Sequence, residues 1–453
     1  MINVIRKLSI LSLLVLMFGC KKENDRVFEE EPSERQAKVI DKLYTMLTTS
    51  ENGWKVTIYP KGGKGFRHWM KLKSNDRVEM VSDFNVTSAT VPKESTFRIS
   101  ALQTPTLIFD TYNYIHLPYD PTASISGGTT NGTGLLSDIE FFPGAGLVDS
   151  LLKDLPVSKT TLIGKYNGNY TIFEKATAAE EAAYKAGGLD KTRNNIAAFI
   201  STTPKFLYVE LEGTQKIQFN YAATTKTISL SYEKDNGVVT EGPATFAHTL
   251  NSLKLSKALK YNNISFDEIF YDEATKVLYI LNGSNRIVVK GTSAPILPLH
   301  YFLGSTGYMN IVAPDATTYA GWSPDFMARR AQAVTSLKNG GYNLTLKAIT
   351  FGFNRTLKTL TITANIPQNT TNYNALFYLN FEKDANGIYK FSKADPYLGT
   401  NGGITETGLA PIIGNRILTD KFVIEYYSDP VLGNLGMFKS VENPDFYFTG
   451  TIN

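Results

Sequence analysis

The sequence predicts a mainly β fold, arranged as two β-meander domains of barrel- or sandwich-like, calycin-like form with a few capping helices. Three observations carry this. From Trp54 onward apolar and polar residues alternate with a period of two in short runs, "WKVTIYP", "FRHWMKLK", "RVEMVSDF" and "STFRIS", which turns one face of each run toward a core. The runs are parted by turns such as "KGGKG", "EKDNG" and "EKDANG", whose Gly and Asn suit hairpins. Aromatic residues make up 12% of the chain, with 25 Tyr and 26 Phe, and together with many Thr, Ile and Val they favour strands.

Three helices punctuate the strands. In "PSERQAKVIDKLYTMLTTSENGW" the expected cap is Ser33 with Gln36 at the capping-box position, and Val39, Ile40, Leu43 and Leu47 form one stripe before Asn52-Gly53. "TAAEEAAYKAGG" carries a capping box in Thr177 and Glu180 and stops at Gly187-Gly188. "WSPDFMARRAQAVTSLKNGG" has Ser323 at the cap, Pro324 first in the helix, and Phe326, Ala333, Val334 and Leu337 along an apolar side. Pro295 and Pro298 stiffen "GTSAPILPLHYF", which reads as a boundary. The expected domains are therefore an N-terminal β domain over 33–291 with its leading helix and a C-terminal β domain over 292–453 with one helix. A chain of 453 residues exceeds what one core usually organises.

The N-terminus has a different character. Arg6 and Lys7 precede an apolar run from Leu8 to Phe18, about half of the ~20 residues that a membrane-crossing helix needs, and Gly19-Cys20 follow. Residues 1–19 read as a signal peptide, and the small residue before Cys20 resembles the lipobox of bacterial lipoproteins. That resemblance implies acylation of Cys20 and a lipid-anchored protein at the outer membrane. "KKEND" at 21–25 resembles the signals that carry such lipoproteins to the cell surface, and residues 20–32 read as a flexible tether. Cys20 is the only cysteine, so the exported chain folds without disulfides.

The leading helix running into "NGWKVTIYPKGGKG", followed by "STFRI", "LIFDTYNYI" and "LIGKYNGN", resembles the Bacteroidetes lipoproteins grouped as domain of unknown function 4302, over roughly residues 33–290. The resemblance implies a place near SusC/SusD-like outer-membrane uptake systems. It supplies no catalytic residue.

Chemistry is sparse. Charges nearly balance, 46 Lys and Arg against 42 Asp and Glu, and no basic cluster forms a nucleic-acid footprint. No H-E-x-x-H, G-x-S-x-G, Walker or dinucleotide motif occurs, and His68, His116, His248 and His300 are scattered, so neither cofactor nor metal is expected. "PKGGKG" joins two strands and reads as a hairpin. Two strand faces could bind a ligand. Arg67, Trp69 and Lys71 share one face of "FRHWMKLK", either as an aromatic platform among cations or with Trp69 packed beneath a helix and covered by basic stems. In "DTYNYIH", Tyr112, Tyr114 and His116 alternate along one face, as stacking planes for a sugar or as part of a core. The acid pairs Asp267-Glu268 and Asp272-Glu273 point apart on strands, unlike a glycosidase pair. Ser150 in "DSL" resembles an O-glycosylation acceptor, which requires an exposed loop. The leading expectation is a non-enzymatic ligand-binding or accessory protein of a nutrient uptake system, taking glycan or peptide. A hydrolase with an unrecognised carboxylate site and a structural or adhesion protein stand as alternatives.

Overall fold

The computed structural model describes residues 31–101, 103–211 and 215–453. The expected signal peptide, Cys20 and all but the last two residues of the expected tether lie outside the described residues. The fold is mainly β, with barrel-like sheets and a few helices.

The leading helix, Pro32–Thr48, begins one residue before Ser33, with Glu31 at the N-cap and Pro32 in the first turn. Ser33 is therefore not the cap, because proline's fixed φ already suits that first position. The stripe is as expected: Val39, Leu43 and Leu47 are buried. Eight antiparallel strands follow as a closed barrel: β1 Trp54–Ile58, β2 Phe66–Leu72, β3 Arg77–Ser82, β4 Lys93–Ala101, β5 Pro105–Phe109, β6 Glu140–Pro143, β7 Lys159–Gly164 and β8 Tyr170–Lys175. Closure pairs β1 with β8, from Trp54↔Lys175 to Ile58↔Thr171. The buried residues Trp54, Val56, Ile58, Leu107, Phe109, Phe141 and Phe173 fill this barrel, with Trp54 edge-on to Phe173 and Phe109 edge-on to Phe141. The leading helix packs against β4 and β5, placing Tyr44 against Phe97.

The Ala178–Lys185 helix has the expected capping box between Thr177 and Glu180. A further helix, Gly188–Thr202, starts at once behind it. The middle sheet is built from β9 Phe206–Glu210, β10 Lys216–Ala222, β11 Thr227–Lys234, β12 Gly237–His248, β13 Ser252–Tyr261, β14 Ile264–Asp272, β15 Val277–Asn282, β16 Asn285–Val288 and β17 Lys290–Thr292. Its strand order runs from β16 through β15 and down to β9, then β17. The two ends of that order are consecutive pieces of one segment parted only by Val289: Val288 pairs with Tyr279 of β15, and Lys290 pairs with Tyr208 of β9. The meander thus returns on itself through residues 285–292. Gly291 is needed there, since a Cβ would sit 2.4 Å from the Thr203 methyl. Ile196 and Phe199 of the Gly188–Thr202 helix join the sheet's apolar core.

The third sheet is again a closed eight-stranded barrel: β18 Asn310–Ala313, β19 Ile349–Asn354, β20 Thr359–Asn365, β21 Asn374–Lys383, β22 Ile388–Leu398, β23 Lys421–Asp429, β24 Gly433–Ser440 and β25 Tyr447–Ile452. Ile311↔Ile452 closes it. Phe351, Phe353, Phe377, Phe391, Phe422, Phe438 and Phe448 fill the interior. The Pro324–Asn339 helix, capped by Ser323 as expected, lies in the β18–β19 connection.

The segment 33–291, expected as one β domain, holds the first barrel and nearly all of the middle sheet. The chain divides into two compact units at Ala186/Gly187, with residues 63–67 counted in the second, and 292–309 joins the middle sheet to the C-terminal barrel inside that unit. The boundary read at "GTSAPILPLHYF" does part the middle sheet from the C-terminal barrel, while the first barrel is parted from the middle sheet by the helices Ala178–Lys185 and Gly188–Thr202. Among the described residues no helix is long and apolar enough to cross a membrane.

Candidate functional site

The site with the most unusual chemistry lies beside the Pro324–Asn339 helix. That helix buries Phe326, Arg330, Ala333 and Leu337, spaced i, i+4, i+7 and i+11, so a guanidinium occupies the middle of an apolar stripe. Arg330 is 4% exposed. Its Nε donates to the Ala316 carbonyl at 3.1 Å, and Nη2 donates to the carbonyls of Lys347 at 2.8 Å and Pro314 at 3.4 Å. Nη1 is buried and has no hydrogen-bond partner among the described residues. The Trp322 ring lies 5.7 Å from the guanidinium carbon, and Trp322 itself is held by its indole N–H on the Thr449 carbonyl, 2.9 Å. Burial lowers the Arg330 pKa from its ordinary value, against the pull of the Asp315 carboxylate 3.8 Å away. Arg330 lines a cleft of about 560 Å³ with Asp315, Met327, Ala331, Val334 and Leu346 among its walls, a size that suits a small molecule.

The residues that the sequence singles out are placed differently. Trp69 is 0% exposed, donates its indole N–H to the Asn52 carbonyl at 2.9 Å, and lies beneath the Ala178–Lys185 helix with the Lys185 ammonium 5.0 Å from its ring. Lys71 is bound to Glu181 at 2.9 Å, Glu181 also holds Lys185 at 3.0 Å, and Arg67 is buried. The platform is thus covered, and of the two readings of this strand the packed one is realised. "DTYNYIH" is not a strand. β5 ends at Phe109, and Asn113 Oδ1 accepts from Tyr114 N at 2.7 Å to start a 3-10 turn over Tyr114–His116. The side-chain turn competes with the ladder and wins. The three residues still meet: Tyr112 stacks on His116 at 5.3 Å, and Lys93 lies 5.5 and 5.9 Å from the Tyr112 and Tyr114 rings. His116 Nδ1 accepts from Asn113 N, and burial lowers its pKa. Only Tyr112 is open to solvent, 48%, and its hydroxyl is tied to Asp120 at 2.7 Å; burial, then that bond, push its pKa up to about 12. This group braces a loop and offers no row of free stacking planes. Ser150 sits on the Ala145–Leu152 helix, half-buried, with its hydroxyl on the Gly146 carbonyl at 2.9 Å, so the exposed loop that an O-glycosylation acceptor requires is not there.

A sequence model of the family described as domain of unknown function (DUF4302) matches residues 24–273. The chain belongs to this family. No protein in the curated collection of characterised sequences matches it. The DUF4302 match spans the first barrel and most of the middle sheet, and it ends before the C-terminal barrel that carries Arg330. Within it the motif residues hold backbone. In "NGW", Gly53 has φ 73° and passes so close to β2 that a Cβ would meet the Met70 carbonyl at 2.6 Å, while the Trp54 indole N–H donates to the Leu47 carbonyl at 3.0 Å. In "LIGKYNGN" the buried Asp138 carboxylate accepts from the N–H groups of Tyr166, Asn167 and Asn169 and from the Asn169 side chain.

Carboxylates elsewhere in DUF4302 territory are engaged structurally. Lys254 bridges Asp267 at 2.9 Å and Glu268 at 3.2 Å. Asp272 accepts from Thr275 N, Arg286 and Ala274 N, contacts that bring its pKa down to about 2. Among the described residues no group of three His, Cys, Asp or Glu side chains is arranged to hold a metal.

Proposed function

We propose that this protein is a non-enzymatic ligand-binding or accessory component of an outer-membrane nutrient uptake system, anchored by lipid on Cys20. The observation that carries the binding reading is the cleft of about 560 Å³ beside the Pro324–Asn339 helix. The two closed barrels are packed with aromatic side chains, so ligand contact belongs to their outer surfaces. Anchoring rests on the basic start, short apolar run and Gly19-Cys20 of the sequence.

Two experiments test this reading. A soluble chain carrying Cys20→Ala and beginning at that residue is melted against panels of glycans, peptides and small nutrients. A ligand at a hundred times its dissociation constant adds about 2.7 kcal/mol to the folded state, which raises the melting temperature measurably. No shift across the panels overturns the binding reading, and product release from any panel member overturns its non-enzymatic part. In cells, Cys20→Ala in the otherwise native chain should move the protein from the membrane fraction to the soluble fraction. Continued sedimentation with membranes overturns the anchor.

A further inference from the structure

We propose that the cleft beside the Pro324–Asn339 helix takes an aliphatic monocarboxylate, its carboxylate paired with the Arg330 guanidinium and its chain laid along Met327, Val334 and Leu346. The proposal rests on the reading of this chain as a binding protein and names the ligand class of that site.

The argument begins with what burial of Arg330 costs. A guanidinium does not shed its charge at neutral pH, so an arginine held out of water needs both an anion and partners for its five N–H groups. Backbone carbonyls of residues 314, 316 and 347 satisfy Nε and Nη2 and fix the plane of the fork. They leave Nη1 without a partner and leave the charge poorly matched. Asp315 does not complete the match: its carboxylate is 3.8 Å from Nη2, 55% exposed, and shared with Lys347 at 3.6 Å. Asp315 is drawn both to Arg330 in the cleft and to Lys347 outside its lining, so its charge is divided and a monoanion can complete the pairing of Arg330. A phosphate dianion would be pressed against Asp315. The rest of the lining is mostly apolar, with Ala316, Met327, Ala331, Val334 and Leu346 facing the space and threonine the only uncharged polar residue type. A sugar would find few fixed partners there, whereas an alkyl chain would lose water-exposed area against these side chains at ~25 cal/mol per Å².

The test uses the chain from residue 20 onward with Cys20→Ala, titrated calorimetrically with hexanoate and octanoate and, in parallel, with octanamide, which keeps the chain and removes the charge. Saturable binding of octanoate, tighter than hexanoate and at least tenfold tighter than octanamide, is the expected result. Trp322, beside the guanidinium, should report it as a fluorescence change. Ala331→Trp fills the cleft from an exposed position with Arg330 retained, and it should abolish binding with the melting temperature unchanged. Arg330→Met should bring octanoate down to the level of octanamide. If Arg330→Met fails to fold, Ala331→Trp and the octanoate-to-octanamide ratio decide the matter alone. Equal affinity for octanoate and octanamide, no saturable binding of octanoate, or undiminished binding by Ala331→Trp overturns the proposal. A panel glycan or peptide whose thermal shift disappears in Ala331→Trp, with no binding of octanoate, overturns the carboxylate and leaves the binding reading standing. Silence of both the panel and the acids overturns both.

Discussion

The first and last barrels each cover an indole with a helix, and they do so in different proportions of charge and ring contact. Above Trp69 the Ala178–Lys185 helix is fastened by charge: Lys55 meets Glu174 and Glu180, Lys71 meets Glu181, and Lys185 meets Glu181 and Glu79. The result is a sealed seam. In the C-terminal barrel the Pro324–Asn339 helix is fastened by rings, with Phe326 stacked on Phe448 at 4.5 Å and edge-on to Trp322 at 4.9 Å. Charge is sparser in that seam: Asp325 meets Arg329 at 2.9 Å and Arg416 at 3.4 Å, and the most deeply buried arginine, Arg330, donates to backbone carbonyls with a cleft alongside it. The contrast shows that ion pairs between long flexible side chains can close a surface over a ring, whereas the C-terminal helix keeps its rings on one side and an open cleft, lined by no ring, on another.

The largest expected effect breaks the aromatic seam. Phe448 also stacks on Phe438 at 4.9 Å and is fully buried, so Phe448→Ala should destabilise the C-terminal barrel by about 3–5 kcal/mol. Hydrogen exchange during denaturant titration would place the loss in residues 310–452, and protection lost equally in the first barrel would sink the assignment. Next comes Asp138→Ala, which strips four donors in the "LIGKYNGN" turn of one carboxylate and should cost about 3 kcal/mol in the first barrel without loosening the helix over Trp69. Trp69→Phe keeps a ring under that helix but loses the bond to the Asn52 carbonyl, and a cost of about 1–2 kcal/mol is expected by the same exchange measurement.

The smallest effect is the most diagnostic of the charged seam. Burial alone would raise the Glu181 pKa, but the hydrogen bonds from Lys71 and Lys185 outweigh it and the value falls below the ordinary 4.5. A depressed carboxylate stabilises the fold fully above its unfolded pKa, and the contribution is lost as pH falls through the folded value. Acid should therefore loosen the Ala178–Lys185 helix. Glu181→Gln should cost only about 0.2–1 kcal/mol per ion pair at neutral pH and flatten the acid limb of exchange in that helix, with the C-terminal barrel unaffected. An acid limb unchanged by the substitution would remove Glu181 from the account.

Much of this contrast is legible in the chain itself. The Ser323 cap, the Thr177 and Glu180 box and the hairpin tips follow from local patterns that tertiary structure has no reason to override, whereas the sequence leaves Trp69 open between platform and packed ring because the helix that covers it is more than a hundred positions away. Two kinds of feature are not legible. Closure of β1 on β8 and of β18 on β25 joins residues more than a hundred positions apart, and no local pattern along the strands signals it. In "DTYNYIH" a period-two pattern coexists with an Asn113 side chain able to cap a turn, and the pattern alone does not rank them. Arg330 did carry a signal: a charge at i+4 from Phe326, inside the stripe that Ala333 and Leu337 continue. An apolar-only count of that stripe passes over it.

Residues 285–292 have a consequence for how the molecule behaves in a crowded compartment. By pairing with β15 through Val288 and with β9 through Lys290, one short segment covers both flanks of the middle sheet, and Val289 N–H is itself spent on the Leu278 carbonyl at 2.8 Å. A protease cut or a proline at this clasp would uncover two rows of unpaired N–H and C=O groups at once, each a template for strand addition by another chain. Eight residues thus cover the strand edges of a sheet of about ninety.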